Sequence, residues 1–184
     1  MEKDINYYFD KYLSDKSING YGNVYNDYFS PRINDEITLL EIGVGTLNPT
    51  PYNMLFWKER YETYLPGASL RAFRDYFPNG KIYGVDIQPD CKIREERIET
   101  FIFYSTDKEA CEKELYWLTF DFIIDDGDHY YVNQIKTFEN IFPRLKPGGV
   151  YILEDLESPD ELRKYFEQTT HDFEFRDRLI IIRK

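Results

Sequence analysis

The chain has 184 residues, 42% hydrophobic and 18% aromatic, with a formal net charge of −11; that length suits one domain, 1–184, with a substantial core. The acidic balance argues against a nucleic-acid partner, because phosphate binding needs a positive surface, though it allows a local basic patch. No apolar run approaches the roughly 18 residues of a membrane helix, and Met1-Glu2-Lys3-Asp4 lacks the basic and apolar regions of a secretory signal, so the expectation is a cytoplasmic protein with no membrane partner.

In chain order, residues 5–13 place Tyr8 and Tyr12, and Phe9 and Leu13, four apart, which is helical spacing. Residues 14–36 are broken by Gly20, Gly22 and Pro31, while Tyr21, Tyr25, Tyr28 and Phe29 fit one side of a short helix. This tyrosine-rich region reads as core or interface packing rather than a platform for substrate. On composition alone, Asp15-Lys16 reads as a surface ion pair. A first strand covers 37–41. Residues 46–67 carry Pro49, Pro51 and Pro66 among aromatics and read as an insertion, partly helical over 54–64. Long loops of this kind are often lids.

A short helix over 68–77 stops at Pro78-Asn79-Gly80. Strands follow at 81–86, 99–104 and 120–125, with a helix at 107–118 before the last of them. Cys91 and Cys111 fall in this stretch without metal or redox spacing. They could form one disulfide, but two reduced thiols suit a cytosolic chain better. A helix at 130–145 runs into Pro147-Gly148-Gly149 and a strand at 149–153. A helix at 158–168 and two short strands within 172–183 complete the chain. His171, in a polar turn, reads as solvated. Strands alternating with helices give an α/β fold: a Rossmann-like, doubly wound, mostly parallel sheet with an antiparallel C-terminal edge.

Four of the strands end in carboxylates: the first in Glu41, the second in Asp86, the 120–125 strand in Asp125-Asp126, and the 149–153 strand in Glu154-Asp155. Their apolar runs lack strict polar alternation, as expected of strands buried on both faces. In open α/β sheets the ligand lies outside the carboxyl ends of the strands, so parallel strands would bring all four sites to one crevice. Carboxylates crowded there repel unless a cation or a ligand's donors compensate.

Glu41-Ile42-Gly43-Val44-Gly45 lets the backbone approach a ligand closely, or is merely a tight turn; Leu47 stands where a dinucleotide fingerprint has its third glycine. Asp86 is placed to accept from ribose hydroxyls, or is a solvated strand end. Asp125-Asp126-Gly127-Asp128-His129 is the sharpest motif. Gly127 would carry the turn that lets a carboxylate and an imidazole lean into the crevice. With Glu154 and Asp155 the motif offers hard oxygen ligands for Mg²⁺, Mn²⁺ or Ca²⁺ rather than zinc. His129 has the ordinary pKa of a base at neutral pH. The plainer alternative is that Asp126 and Asp128 cap the next helix and His129 lies on the surface.

These motifs, with Ser14-Asp15-Lys16 before Gly20-Tyr21, Pro66-Gly67-Ala68-Ser69-Leu70, Tyr76-Phe77-Pro78-Asn79 and Leu145-Lys146-Pro147-Gly148-Gly149 leading to Glu154-Asp155, resemble class I S-adenosylmethionine-dependent methyltransferases. More narrowly, the chain is similar to the metal-dependent sugar O-methyltransferases related to macrocin and mycinamicin O-methyltransferases, a group allied with cephalosporin hydroxylase-like proteins. The resemblance implies that Asp126, Glu154 and Asp155 hold a divalent metal, Mg²⁺ first, and that Asp126 and His129 serve catalysis, His129 as base. It implies that Glu41, Gly43, Gly45 and Asp86 line the S-adenosylmethionine site. Asp107 would lie near the adenine, and Ser14, Asp15 and Lys16 near cofactor and substrate. The implied acceptor is a glycoside, glycan or nucleotide-sugar, and the implied assembly a homo-oligomer.

Three departures stand out. Asp128 replaces a common Ser, Asn19 replaces a common His before Gly-Tyr, and the chain is short beside relatives with a large auxiliary domain. Acceptor choice is then expected to rest on 1–36 and on 46–67. The rival readings are a non-catalytic cofactor-binding module and a nicotinamide-dependent oxidoreductase. The missing third glycine and the lack of a Tyr-x-x-x-Lys motif count against the oxidoreductase.

Overall fold

The structure is a computed structural model that describes residues 4–50 and 53–184. Met1–Lys3 of the N-terminal reading and Pro51 of the insertion lie outside the described residues. The strands are β1 Thr38–Ile42, β2 Lys81–Asp86, β3 Arg94–Glu95, β4 Ile98–Ile102, β5 Phe120–Asp125, β6 Leu145–Leu153, β7 Asp172–Arg176 and β8 Leu179–Arg183. They form one sheet in the order β3-β4-β2-β1-β5-β6-β8-β7. The pairs from β4 to β6 are parallel. At the edges, β3 against β4, and β8 against β6 and β7, are antiparallel. This matches the expected doubly wound sheet with an antiparallel C-terminal hairpin.

The helices are α1 Ile5–Tyr12, α2 Tyr21–Phe29, α3 Leu55–Arg60, α4 Ala68–Tyr76, α5 Lys108–Leu115, α6 Tyr131–Ile141 and α7 Pro159–Phe166. Because side chains alternate across a strand, neighbouring strand residues feed two cores. Leu39, Ile82, Phe122, Ile124 and Ile152 pack under α1, α2 and α4 with Phe9, Tyr25, Phe29 and Phe73. Leu40, Val85, Ile123, Tyr151 and Leu153 pack under α5, α6 and α7 with Leu115, Phe138 and Phe166. Strands buried on both faces explain their unbroken apolar runs. Tyr21 and Tyr25 are buried, so much of the N-terminal tyrosine content is core.

Three details differ from the sequence reading. The two-residue β3 was not expected, since Arg94 and Glu95 carry no apolar pattern. β6 starts at Leu145, before the Pro-Gly-Gly turn. Its register against β5 shifts between Phe120↔Leu145 and Phe122↔Val150, so Pro147-Gly148-Gly149 is an irregularity inside the strand rather than a turn leading into it. Finally, His171 is not simply solvated: its ring lies 4.6 Å from that of Phe142 and 5.4 Å from that of Phe138.

From β1 the chain steps to β2 and β4 on one side, and β5 starts the walk to β6 on the other. The carboxyl ends of β1 and β5 therefore flank the switch point, where a doubly wound sheet leaves a crevice. No helix of the described residues is long and apolar enough to cross a membrane.

Candidate active site

A cavity of about 730 Å³ opens at that crevice. One end is walled by Gly43, Gly45, Asp86, Ile87, Phe103 and Tyr104, the other by Asp15, Asp126, His129 and Asp155. The glycine loop depends on positive φ. Gly43 (φ +86°) donates from its N–H to the Val85 carbonyl at 2.9 Å. A Cβ at Gly43 would sit 1.8 Å from the Asp126 carbonyl oxygen. The loop thus lies directly on the end of β5, which couples the two ends of the cavity. Asp86 fastens the same loop: Oδ2 accepts from Val44 N–H at 2.8 Å and Oδ1 from Gln88 N–H at 2.9 Å. Asp107 caps α5 by accepting from Ala110 N–H at 3.2 Å, while Phe103 to Thr106 just before it line the cavity.

From the 46–67 segment, Met54 and Tyr64 lie against Gly45 of the glycine loop. Met54 N–H bonds the Thr46 carbonyl at 2.8 Å, and Thr46, Asn53 and Met54 line the cavity. The Trp57 indole N–H donates to the Leu13 carbonyl. That bond ties the insertion to the stretch that carries Asp15 and Lys16.

Lys16 is the residue that composition misplaces. It is not on the surface but 2% exposed, next to the cavity-lining Asp15. Its Nζ donates to Asp126 Oδ2 and to Glu154 Oε2, each at 2.6 Å. It also lies 3.3 Å from Glu41 Oε1. The cation that crowded strand-end carboxylates demand is thus supplied in part by the chain itself. Glu41, fully buried, takes the Ser69 hydroxyl on its other oxygen, so it braces the loop from below.

One ammonium among three carboxylates leaves an excess of negative charge. Burial would lower the Lys16 pKa, but Asp126, Glu154 and Glu41 outweigh it and hold the group well above its ordinary value. Burial pushes Glu41 and Glu154 up to about 7 in spite of Lys16. Burial also acts to raise Asp126, but Lys16 and His129 overcome it and hold that carboxyl below the usual range. Glu154 Oε1 is buried with no hydrogen-bond partner among the described residues, a state that costs free energy unless something binds it.

Around the rim, His129 Nε2 lies 3.2 Å from Asp126 Oδ1 and 3.8 Å from Asp155 Oδ2. Burial would lower the His129 pKa, but the hydrogen bond and charge of Asp126 raise it. The chain bends at Gly127, as the motif suggested, but the positive φ lies elsewhere. His129 itself has φ 60°, and Asp155 has φ 50°. Left-handed backbone at non-glycine residues is strained and tends to mark functional sites. Asp128 is spent on the helix start, accepting from Tyr130 N–H at 3.1 Å and from the Asn133 amide. The N-cap of α6 is Tyr130 with no side-chain cap hydrogen bond, so neither aspartate offered as a helix cap acts as one, and His129 is partly buried.

Asp155 also accepts from the Tyr21 hydroxyl and pairs with Arg178 at 2.7 Å. Tyr21 stood in the Gly20-Tyr21 element and Arg178 carried no sequence signal; that both reach Asp155 is set only by the tertiary fold. Ligand atoms of Asp126, His129 and Asp155 lie within 4.8 Å of one another. Carboxylate oxygens with one imidazole suit a hard divalent cation, and the unpartnered Glu154 oxygen is a further donor of the same kind, so the residues fit such an ion. Cys91 and Cys111 are free and buried, as expected of reduced thiols.

No protein-family model matches the chain. The 8-demethyl-8-alpha-L-rhamnosyl tetracenomycin-C 2'-O-methyltransferase of Streptomyces olivaceus is 32% identical over 172 residues, covering 91% of this chain and 42% of that protein. The demethylmacrocin O-methyltransferase of Streptomyces fradiae is 34% identical over 157 residues, covering 83% of this chain and 36% of that one. The chain thus spans less than half the length of these curated relatives. Among solved structures, the MycE methyltransferase of the mycinamycin biosynthetic pathway, in complex with Mg, SAH and mycinamycin VI, superposes with a TM-score of 0.81 at 23% identity, covering 100% of this chain and 55% of that one. The chain is a homologue of the macrocin, mycinamicin and tetracenomycin sugar O-methyltransferases, and its fold is that of the class I methyltransferases.

Proposed function

We propose that the chain transfers the methyl group of S-adenosylmethionine to a hydroxyl of a sugar, as a glycoside, glycan or nucleotide-sugar, with the help of a divalent cation, Mg²⁺ first. The observation that carries this reading is the meeting of Asp126, His129 and Asp155 at one end of a cavity whose other end is the glycine loop and Asp86. The relatives' names, and the Mg, SAH and mycinamycin VI bound to the structural neighbour, support the same chemistry.

The nucleoside end of the donor lies along Gly43, Gly45 and Asp86, with Phe103 and Tyr104 beside its base. Asp126, Asp155 and the free oxygen of Glu154 would hold the cation, which when bound orients adjacent acceptor oxygens and lowers the pKa of the reacting hydroxyl. His129 would take the proton from that hydroxyl as its oxygen bonds the methyl carbon and the sulfur–methyl bond breaks, with its electron pair returning to sulfur to leave S-adenosylhomocysteine. Asp126, hydrogen-bonded to His129 Nε2, fixes the ring. The walls hold oxygen and methyl near attack distance, worth about 7–11 kcal/mol of the barrier at best.

Thermal unfolding with S-adenosylhomocysteine, with NAD as comparison, tests the donor class. At about 100 times its Kd a ligand adds roughly 2.7 kcal/mol, a rise of about 5–10 °C for a chain of this size. A rise with NAD alone would overturn the reading. For the base, His129→Ala should keep the S-adenosylhomocysteine shift and lose roughly 10²–10⁴ in turnover; unchanged turnover would remove His129 from that role.

A further inference from the structure

Asp126 and Glu154 each face two ways. Asp126 gives Oδ2 to Lys16 Nζ at 2.6 Å and turns Oδ1 to His129 at 3.2 Å. Glu154 gives Oε2 to Lys16 at 2.6 Å and leaves Oε1 buried without a hydrogen-bond partner among the described residues. Glu41 closes the inner side at 3.3 Å from the same ammonium. Asp126 therefore bridges two cation seats. The inner seat is bounded by Glu41, Asp126 and Glu154, and the outer by Asp126, His129 and Asp155. Paired-metal sites use the same bridging, but here the chain fills the inner seat with its own side chain.

We infer that Lys16 is a built-in cation occupying the inner seat of a carboxylate-bridged two-cation centre. In that place it confines the site to a single divalent ion. It also pins Oδ2 of Asp126 so that Oδ1 faces the outer seat. Lys16 is then a positioning residue that acts through Asp126 without touching the acceptor. Its backbone position, one residue from the cavity-lining Asp15, also ties that wall to the ends of β1, β5 and β6. The outer half of this inference rests on the proposed function above; the inner half rests only on the geometry around Lys16.

The test is Mn²⁺ stoichiometry, read by electron paramagnetic resonance on the full chain, with Mn²⁺ titrated into wild type, K16A, D155N and K16A/D155N. Wild type should bind one ion, lost in D155N. K16A should bind two, and K16A/D155N should keep one, held by Glu41, Asp126 and Glu154. Mn²⁺ should also raise the melting temperature of K16A more than that of wild type. Should K16A not fold, K16A/E41Q, with one buried carboxylate fewer, should still take the inner ion, roughly 10–100-fold more weakly, as loss of one supporting group costs elsewhere. One ion in both wild type and K16A, abolished in both by D155N, would overturn the inference and leave the proposed outer site standing. Two ions in wild type would also overturn it. No ion in wild type and one in K16A would uphold the inner seat and reject the outer one.

Discussion

Replacing Gly43 with alanine tests whether the glycine loop and the end of the cavity that carries Asp126 are one rigid unit. Gly43 has φ +86°, and an added Cβ would meet backbone, 1.8 Å from the Asp126 carbonyl oxygen and 2.6 Å from its carbon. Neither can swing away as a flexible side chain would. Left-handed backbone at alanine costs about 1–2 kcal/mol, and forcing extra volume into a packed position about 1–3 kcal/mol more. Together they predict a loss of about 2–5 kcal/mol, or about 4–20 °C in melting temperature for a chain of this length. Gly148 supplies the control. It has φ +76° with nothing within 4 Å of its added Cβ, so Gly148→Ala should carry only the backbone cost of about 1–2 kcal/mol. Differential scanning calorimetry on both variants separates the two costs. G43A should also weaken S-adenosylhomocysteine binding below its melting transition. A G43A protein no less stable than G148A, with wild-type binding, would refute the close contact and the coupling drawn from it.

Other consequences are equally direct. Burial would raise the Asp75 pKa, but hydrogen bonds from Lys11, Tyr12 and Arg74 hold it at about 2. A carboxyl lowered on folding adds stability above its unfolded pKa and loses it as pH falls through the folded value. Asp75→Asn should therefore cost at most about 2 kcal/mol at pH 6, with the gap in melting temperature from wild type closing as pH falls from about 4 toward 2. A gap that stays constant with pH would remove this anchor between α1 and α4. Phe29 is fully buried, with its ring 4.7 Å from that of Phe122, so Phe29→Ala should cost about 3–5 kcal/mol in urea unfolding. Removing divalent ions with EDTA should abolish turnover yet leave the S-adenosylhomocysteine melting shift, since the proposed nucleoside contacts, Gly43, Gly45 and Asp86, are not themselves cation donors.

The parallel sheet and its four carboxylate ends were legible because a strand buried on both faces must be apolar throughout, and the polar residue that ends it marks the crevice. Asp126, His129 and Asp155 were legible as motif residues for the same reason. Lys16 was not, since a lysine beside an aspartate in a polar stretch looks solvated, and only the packing of 14–16 beneath three strand ends reveals its partners. The bend expected at Gly127 is there, but the strain at His129 was hidden because nothing in the sequence marks the positive φ two residues later. Tyr21 and Arg178 reach Asp155 from α2 and from the β7–β8 hairpin, contacts that no local pattern records. β3 escaped because two polar residues on an edge need no apolar alternation.

Mass spectrometry of a panel of glycosides incubated with S-adenosylmethionine and the chain, with Mg²⁺ or with EDTA, tests the central claim most directly. The account predicts a single methyl added to a sugar oxygen, lost with EDTA and in D155N. Methyl transfer indifferent to both, or no transfer to any glycoside of the panel, would contradict it.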